Sequence, residues 1–300
     1  MGIPTQWIDA LSLGWVNGAV RRLRAATVLA AAVLLVLTAC GSGSSDETPT
    51  SGPSKPVVGM VDIGQRSLFM ACEGSGSPTV VMEAGLTGDH KTWDAVAPRV
   101  REETRVCTYD RANTGRSDRA STPRTAREIV ADLHTALRAA GEEPPFLLVG
   151  FSFGGLTTQL YAASYSADVA GVVLVDSNHP NETDEFEAHL TRAQIHKDRA
   201  YVNDNAEGVD VFTSLEQVQA AGGFPDVPLI VITAGISEGW PPGWDSELFD
   251  RLRAAQQEDL AKLSPQGTHV VARNSSHDVP QQQPEVVVRA IRKVLNEPPS

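Results

Sequence analysis

The sequence predicts an α/β fold: the α/β class with a mostly parallel central sheet, helices on both faces and a short lid insertion. Two observations carry this expectation. From about Val57 onward, short apolar runs that end in Gly or Asp alternate with helical patterns, as in a parallel α/β sheet. The runs are continuously apolar instead of alternating, which is how strands read when both faces of a sheet are covered.

Taken in order, the strand candidates are TVVMEAG (Thr79–Gly85), TRVCTYD (Thr104–Asp110), FLLVG (Phe146–Gly150), GVVLVD (Gly171–Asp176) and PLIVITAG (Pro228–Gly235). THVVAR (Thr268–Arg273) is a weaker sixth. Helical patterns cover Thr125–Ala140, Leu156–Tyr165, Ser246–Leu263 and Pro284–Leu295. The insertion at about 178–224, Asn178 to Phe224, interrupts this rhythm. It is polar and acidic with weak helical periodicity, and a connection of that length inside a compact domain is expected to be functional, as a lid or binding loop.

With 41 % hydrophobic and 21 % charged residues the composition is that of a globular protein. The formal net charge of −12, without a clustered basic face in the body, argues against nucleic acid as a partner. Residues 1–40 stand apart. Arg21, Arg22 and Arg24 precede an uncharged, mostly apolar run, Ala25–Ala39. At 15 residues it is short for a membrane span and reads as an export signal. The run closes on LTAC, Leu37 to Cys40, which resembles the bacterial lipoprotein signal, in which the cysteine is lipidated. Residues 41–56 are Gly/Ser/Pro-rich and read as a flexible tether. Residues 57–300 form the expected domain. The expected location is the outer face of the bacterial cell membrane, held there through the lipid on Cys40. With Cys40 so assigned, Cys72 and Cys107 remain in an oxidising compartment, where a disulfide is open to them. No metal or cofactor motif is found, and none is expected.

Gly-x-Ser-x-Gly occurs twice, as Gly150-Phe151-Ser152-Phe153-Gly154 and as Gly235-Ile236-Ser237-Glu238-Gly239. The pattern carries chemistry only at a strained turn between a buried strand and a helix. Ser152 has FLLVG before it and Gly154, Gly155 and LTTQLYAASY after it. Ser237 is followed by WPPGW, and its prolines deny it a supporting helix. A serine hydroxyl needs a general base. Of seven histidines, His277 lies on a loop after the last strand and just ahead of the final helix, at the end of the order Ser…acid…His. His90, in the loop after EAGLTG, is a second candidate to touch a substrate, and His179 a candidate pocket group.

From about Gly59 to Leu295 the chain resembles the α/β-hydrolase superfamily. The likeness rests on the Ser152 turn, with Phe151 where many members have histidine, and on YDRANTGRSD (Tyr109–Asp118). The latter is similar to the Asp-Arg-x-Gly-x-Gly-x-Ser segment after the fourth strand, with Asn113 at the first Gly. SSHDVPQQQPEVV is similar to the histidine loop. The resemblance implies an oxyanion hole from the backbone N–H groups of Phe153 and, in EAGLTG, Leu86. It implies a second strand beside the fourth, hence a Cys72–Cys107 disulfide. The acid stays open: the commonest position offers only Asp245 or Glu238, whereas GVVLVD ends in Asp176, which is preferred. The expected activity is serine hydrolysis of a small carboxylic ester, with a thioester or amide less favoured. A non-catalytic ligand-binding lipoprotein of the same fold is the alternative.

Overall fold

The computed structural model describes residues 55–297. The expected export signal, Cys40 and most of the expected tether lie outside the described residues. Eight strands form a single sheet: β1 (Val57–Asp62), β2 (Ser67–Glu73), β3 (Thr79–Glu83), β4 (Val106–Tyr109), β5 (Phe146–Phe151), β6 (Val169–Val175), β7 (Leu229–Ala234) and β8 (Gly267–Ala272). Their spatial order is β1-β2-β4-β3-β5-β6-β7-β8, with β2 antiparallel to both its neighbours and every pair from β4 to β8 parallel. The described helices are α1 (Ala97–Val100), α2 (Ala126–Ala139), α3 (Phe153–Ser164), α4 (Glu182–Glu187), α5 (Arg192–Asn203), α6 (Val211–Ala221), α7 (Ser246–Leu260), α8 (Val279–Gln282) and α9 (Pro284–Leu295). Among the described residues no helix is long and apolar enough to cross a membrane.

The central strands are apolar throughout because each feeds two cores. Phe146 and Leu148 of β5, Val172 and Leu174 of β6, and Leu229 and Val231 of β7 pack with α2, α3 and Leu260 of α7 on one face. Leu147, Val149, Val173, Val175, Ile230 and Ile232 point the other way, onto α1 and α9. Each strand thus shows period-2 alternation between two dry faces. The helix α9 is strongly amphipathic and turns Val287, Ile291 and Val294 inward. It sits so close to β6 that a Cβ at Gly171 would lie 2.3 Å from Val294 Cγ1.

β1 is not singled out by the sequence, and β2 enters there only as the second strand that the resemblance implies. β1 is an edge strand with Val58 and Met60 exposed and Gly59 in its middle, so it lacks the continuous apolar signature of the centre. Directly opposite residues of β2 and β4, Cys72 and Cys107, are joined by a disulfide. The Lys55 carbonyl accepts a hydrogen bond from Arg105 at 3.2 Å.

The insertion folds as α4, α5 and α6 instead of an irregular loop. Its second half is part of the body: Val209, Val211 and Leu215 pack with Ile129, Phe153 and Leu156. Ser214 Oγ accepts the Ala126 N–H at 2.9 Å and Gln217 Oε1 accepts the Arg127 N–H at 2.9 Å. These bonds satisfy amides at the start of α2, where no intrahelical acceptor exists.

Candidate active site

Parallel strands carry their C-terminal ends to one edge of the sheet, and the candidate residues gather there from β3, β5, β6 and the loop after β8. Ser152 joins β5 directly to α3 and has φ +54° and ψ −123°, a conformation most L-residues avoid. The glycines around it allow that turn. A Cβ on Gly150 would lie 2.4 Å from Thr158 Oγ1, one on Gly154 would lie 2.3 Å from the Ala84 carbonyl, and one on Gly155 would lie 2.3 Å from Ser177 Oγ. Strand, helix and the loop after β3 therefore close around Ser152 only because these side chains are missing.

His277 sits with Nε2 2.9 Å from Ser152 Oγ and Nδ1 2.6 Å from Asp176 Oδ2. Asp176 ends β6 in a left-handed conformation, φ +42°, and is buried. Its Oδ1 accepts the Ala234 N–H at 3.0 Å, and its Oδ2 also accepts from Arg253 Nη2 at 2.6 Å. Burial pushes the Asp176 carboxyl upward. The hydrogen bond from His277, the Arg253 guanidinium and the Ala234 N–H outweigh that and hold it below the usual carboxylate range.

The three residues meet although 125 positions separate Ser152 from His277. The loop bearing His277 is held by the glutamine run ahead of α9. Gln282 Oε1 accepts the Ser276 N–H and Gln283 Oε1 accepts the Asn274 N–H, each at 2.9 Å. Gln281 reaches back to the Thr92 carbonyl, also at 2.9 Å. The Phe151 ring packs against the imidazole with 4.9 Å between centroids.

The other acid candidates lie elsewhere. Asp245 is exposed and caps α7, with Oδ1 accepting the Leu248 N–H at 3.1 Å, and Glu238 is on an exposed loop. His90 Nδ1 is engaged by Asp110 at 2.7 Å. His179 is buried with Nε2 3.3 Å from Asp259 and Nδ1 accepting the Asn181 N–H, which ties up both nitrogens.

The loop after β3 passes directly over the turn. A Cβ on Gly85 would be 3.4 Å from Ser152 Cβ, and Leu86 packs in the same small cluster as Phe153. The N–H of Phe153 belongs to the first turn of α3, where amides lack intrahelical acceptors and the helix end favours negative charge.

A network that sequence reasoning missed underlies this loop. The buried Arg111 guanidinium donates to Glu207 Oε1 at 2.6 Å and Oε2 at 2.9 Å, to Glu83 Oε1 at 2.5 Å, and to the carbonyls of Ala84 and Gly85, each at 2.6 Å. Tyr109 donates its hydroxyl to Glu83. Burial raises the Glu83 carboxyl above its usual value despite Arg111. Burial also works against the Arg111 charge, but Glu207 and Glu83 more than offset it, so the guanidinium stays charged. The only sequence signal for Arg111 is its place in YDRANTGRSD, Tyr109–Asp118. Nothing in the sequence pointed to Arg253 or Glu207.

With this geometry in view, comparison with known proteins decides the family. The family model described as the alpha/beta hydrolase fold matches residues 78–232, just over half the chain. This chain belongs to the α/β-hydrolase family. Its similarity to YqjL of Bacillus subtilis strain 168, itself described as uncharacterized, is 29 % identity over 231 residues, covering 74 % of this chain and 85 % of that protein. Two solved structures share the fold. Alpha/beta hydrolase domain-containing protein 10 from mouse superposes with a TM-score of 0.62 at 13 % identity, covering 81 % of this chain and 99 % of that one. A thermophilic esterase from Thermogutta terrifontis superposes with a TM-score of 0.54 at 21 % identity, covering 81 % and 98 %. Within the α/β-hydrolase frame, the turn from β5 to α3 carries Ser152 and the β6 end carries Asp176.

Proposed function

We propose that this α/β-hydrolase is a serine esterase that works through an acyl-enzyme on Ser152. The observation that carries the reading is the continuous chain Ser152 Oγ–His277–Asp176, at 2.9 and 2.6 Å, on the edge of the sheet. In this reading Ser152 Oγ attacks the ester carbonyl carbon while His277 Nε2 takes its proton. Asp176 accepts from Nδ1–H, holding the imidazole in the tautomer whose Nε2 can act as a base. The N–H groups of Phe153 and Leu86 receive the developing oxyanion. Collapse of the tetrahedral adduct expels the alcohol, which leaves with the proton from His277. Water then attacks the acyl-enzyme with His277 again as base, and the acid departs from a regenerated Ser152. One water is consumed and one acid and one alcohol are formed. Small carboxylic esters suit this chemistry directly, and a fold neighbour is named an esterase. We also propose, from residues 1–56 alone, that the protein is exported and tethered through lipidated Cys40.

The test is labelling of the full-length protein in detergent by a fluorophosphonate, with hydrolysis of p-nitrophenyl esters of increasing chain length alongside. The expected result is one label per chain on Ser152, lost in His277→Ala, together with turnover that depends on Ser152. A protein that neither labels nor turns over any ester better than its Ser152→Ala variant is a ligand-binding member of the fold.

A further inference from the structure

The Leu86 N–H is useful as an oxyanion donor only if its peptide plane is held at the right rotation, and the residues that hold it come from two distant parts of the chain. A trans peptide points its C=O and N–H in opposite directions. The Gly85 carbonyl is gripped by Arg111 Nη2 at 2.6 Å and by the Gly88 N–H at 3.0 Å. That grip sets the direction of the Leu86 N–H. On the far side of Leu86, the Thr87 N–H donates to Glu207 Oε2 at 3.0 Å, with Thr87 itself left-handed at φ +61°.

Glu207 is the common point of this bracket. It accepts from Arg111 through both carboxylate oxygens and from Thr87, and its carbonyl accepts from Asn113 Nδ2 at 2.9 Å. Asn113, which stands where the family segment has glycine, adopts φ +75°, a conformation asparagine tolerates better than most residues. The Arg111 guanidinium also lies 5.8 Å from the centre of the Phe153 ring. One arginine thus bonds the carbonyl of the peptide that carries the Leu86 N–H and lies beside the Phe153 ring, and that arginine is held by a carboxylate from the insertion.

We propose that Glu207 is a positioning residue for the oxyanion hole, acting through Arg111 and the Thr87 N–H to fix the Leu86 amide toward the reacting carbonyl. In this reading the insertion contributes to the site through its residue at 207, which completes the geometry from behind. This inference rests on the esterase reading above.

The experiment compares wild type with Glu207→Gln and Glu207→Ala, full-length in detergent, with active sites counted by fluorophosphonate labelling. Gln keeps the size of Glu but turns one acceptor into a donor that faces Arg111 or Thr87. Expected for Glu207→Gln is a roughly 10-fold fall in kcat per labelled site, with KM within about twofold of wild type. The fall for Glu207→Ala is larger, toward the ~10²-fold expected for losing one donor. Affinity for a trifluoromethyl ketone, whose adduct on serine carries the same oxyanion, falls by the same factor as kcat. The acid limb of the rate profile stays in place, because His277 and Asp176 are untouched. The proposal is overturned if kcat per labelled site stays within twofold of wild type in Glu207→Gln. It is equally overturned if kcat falls while ketone affinity does not. If Glu207→Ala does not fold, Glu207→Gln carries the decision alone. A wild-type protein that neither labels nor hydrolyses overturns the esterase reading and this inference with it.

Discussion

Gly150–Gly154 and Gly235–Gly239 spell the same Gly-x-Ser-x-Gly pattern, and each follows a buried parallel strand, β5 or β7. At the first, the chain passes straight into α3, Ser152 takes a positive φ, and its hydroxyl lies 2.9 Å from an imidazole nitrogen. At the second, α7 does not begin until Ser246. Ser237 is exposed, and its hydroxyl donates to Asp250 Oδ1 at 2.7 Å. A hydroxyl that donates to a surface carboxylate, with no imidazole to take its proton onward, is an ordinary polar group. The motif is therefore permission for a tight turn, and the helix that follows is what distinguishes the turn at Ser152, where the proposed nucleophile sits.

The contrast can be broken or sharpened by mutation. The largest effect is expected from Ser152→Ala, which should lower kcat on a p-nitrophenyl ester by about 10⁶-fold, while Ser237→Ala leaves it within twofold. Equal losses in the two variants would sink the assignment. Next comes the acid. Asp176→Asn should cost about 10⁴-fold in kcat by favouring the wrong imidazole tautomer, whereas Asp245→Asn should leave kcat within twofold and stability within about 0.5 kcal/mol in denaturant titration, because Asn caps a helix about as well as Asp.

The glycines at the fifth position of each motif follow. An added Cβ at Gly154 meets main-chain oxygens of Glu83 and Ala84 at 2.5 and 2.3 Å, where the backbone must shift. Gly154→Ala should lose about 3 kcal/mol in urea unfolding, with activity falling as well because the moved segment carries Leu86. Gly239 has open space around it and only its φ of +84° to pay for. Gly239→Ala should cost ~1 kcal/mol with activity unchanged.

Arg253 shows its effect as a dependence on pH. Asp176 is held below the usual carboxylate range, so its stabilising contribution is present above about pH 4 and is lost as pH falls through the lowered value. Removing Arg253 brings the folded value nearer the unfolded one. Arg253→Met should therefore be about 1–2 kcal/mol less stable than wild type near neutral pH, and the gap should shrink as pH drops below the carboxylate range. A gap that is constant from pH 7 to pH 3 would show that Arg253 acts by packing alone.

Much of this molecule was legible beforehand because the strands are buried on both faces. Burial on two sides leaves continuous runs such as FLLVG and GVVLVD that no surface segment imitates, and the glycines that let β5 and α3 close together are visible as letters. The edge strand β1 gives no such run, since Val58 and Met60 face solvent. The insertion was legible only as an interruption, because its helices show weak periodicity and Val209, Val211 and Leu215 find their partners on α2 and α3.

The sequence by itself determined the α/β class, the turn at Ser152 and the loop position of His277, because these follow from local apolar runs, glycine placement and chain order. Tertiary structure decided which acid faces the imidazole. The strand-end place of Asp176 makes it the preferred acid in the sequence but leaves Asp245 and Glu238 open, and only the folded chain brings Asp176 Oδ2 to 2.6 Å from His277 Nδ1 while Asp245 caps α7. The same holds for Arg111 and Glu207. They are 96 positions apart, and their pairing exists only because the insertion folds back against the loop after β4.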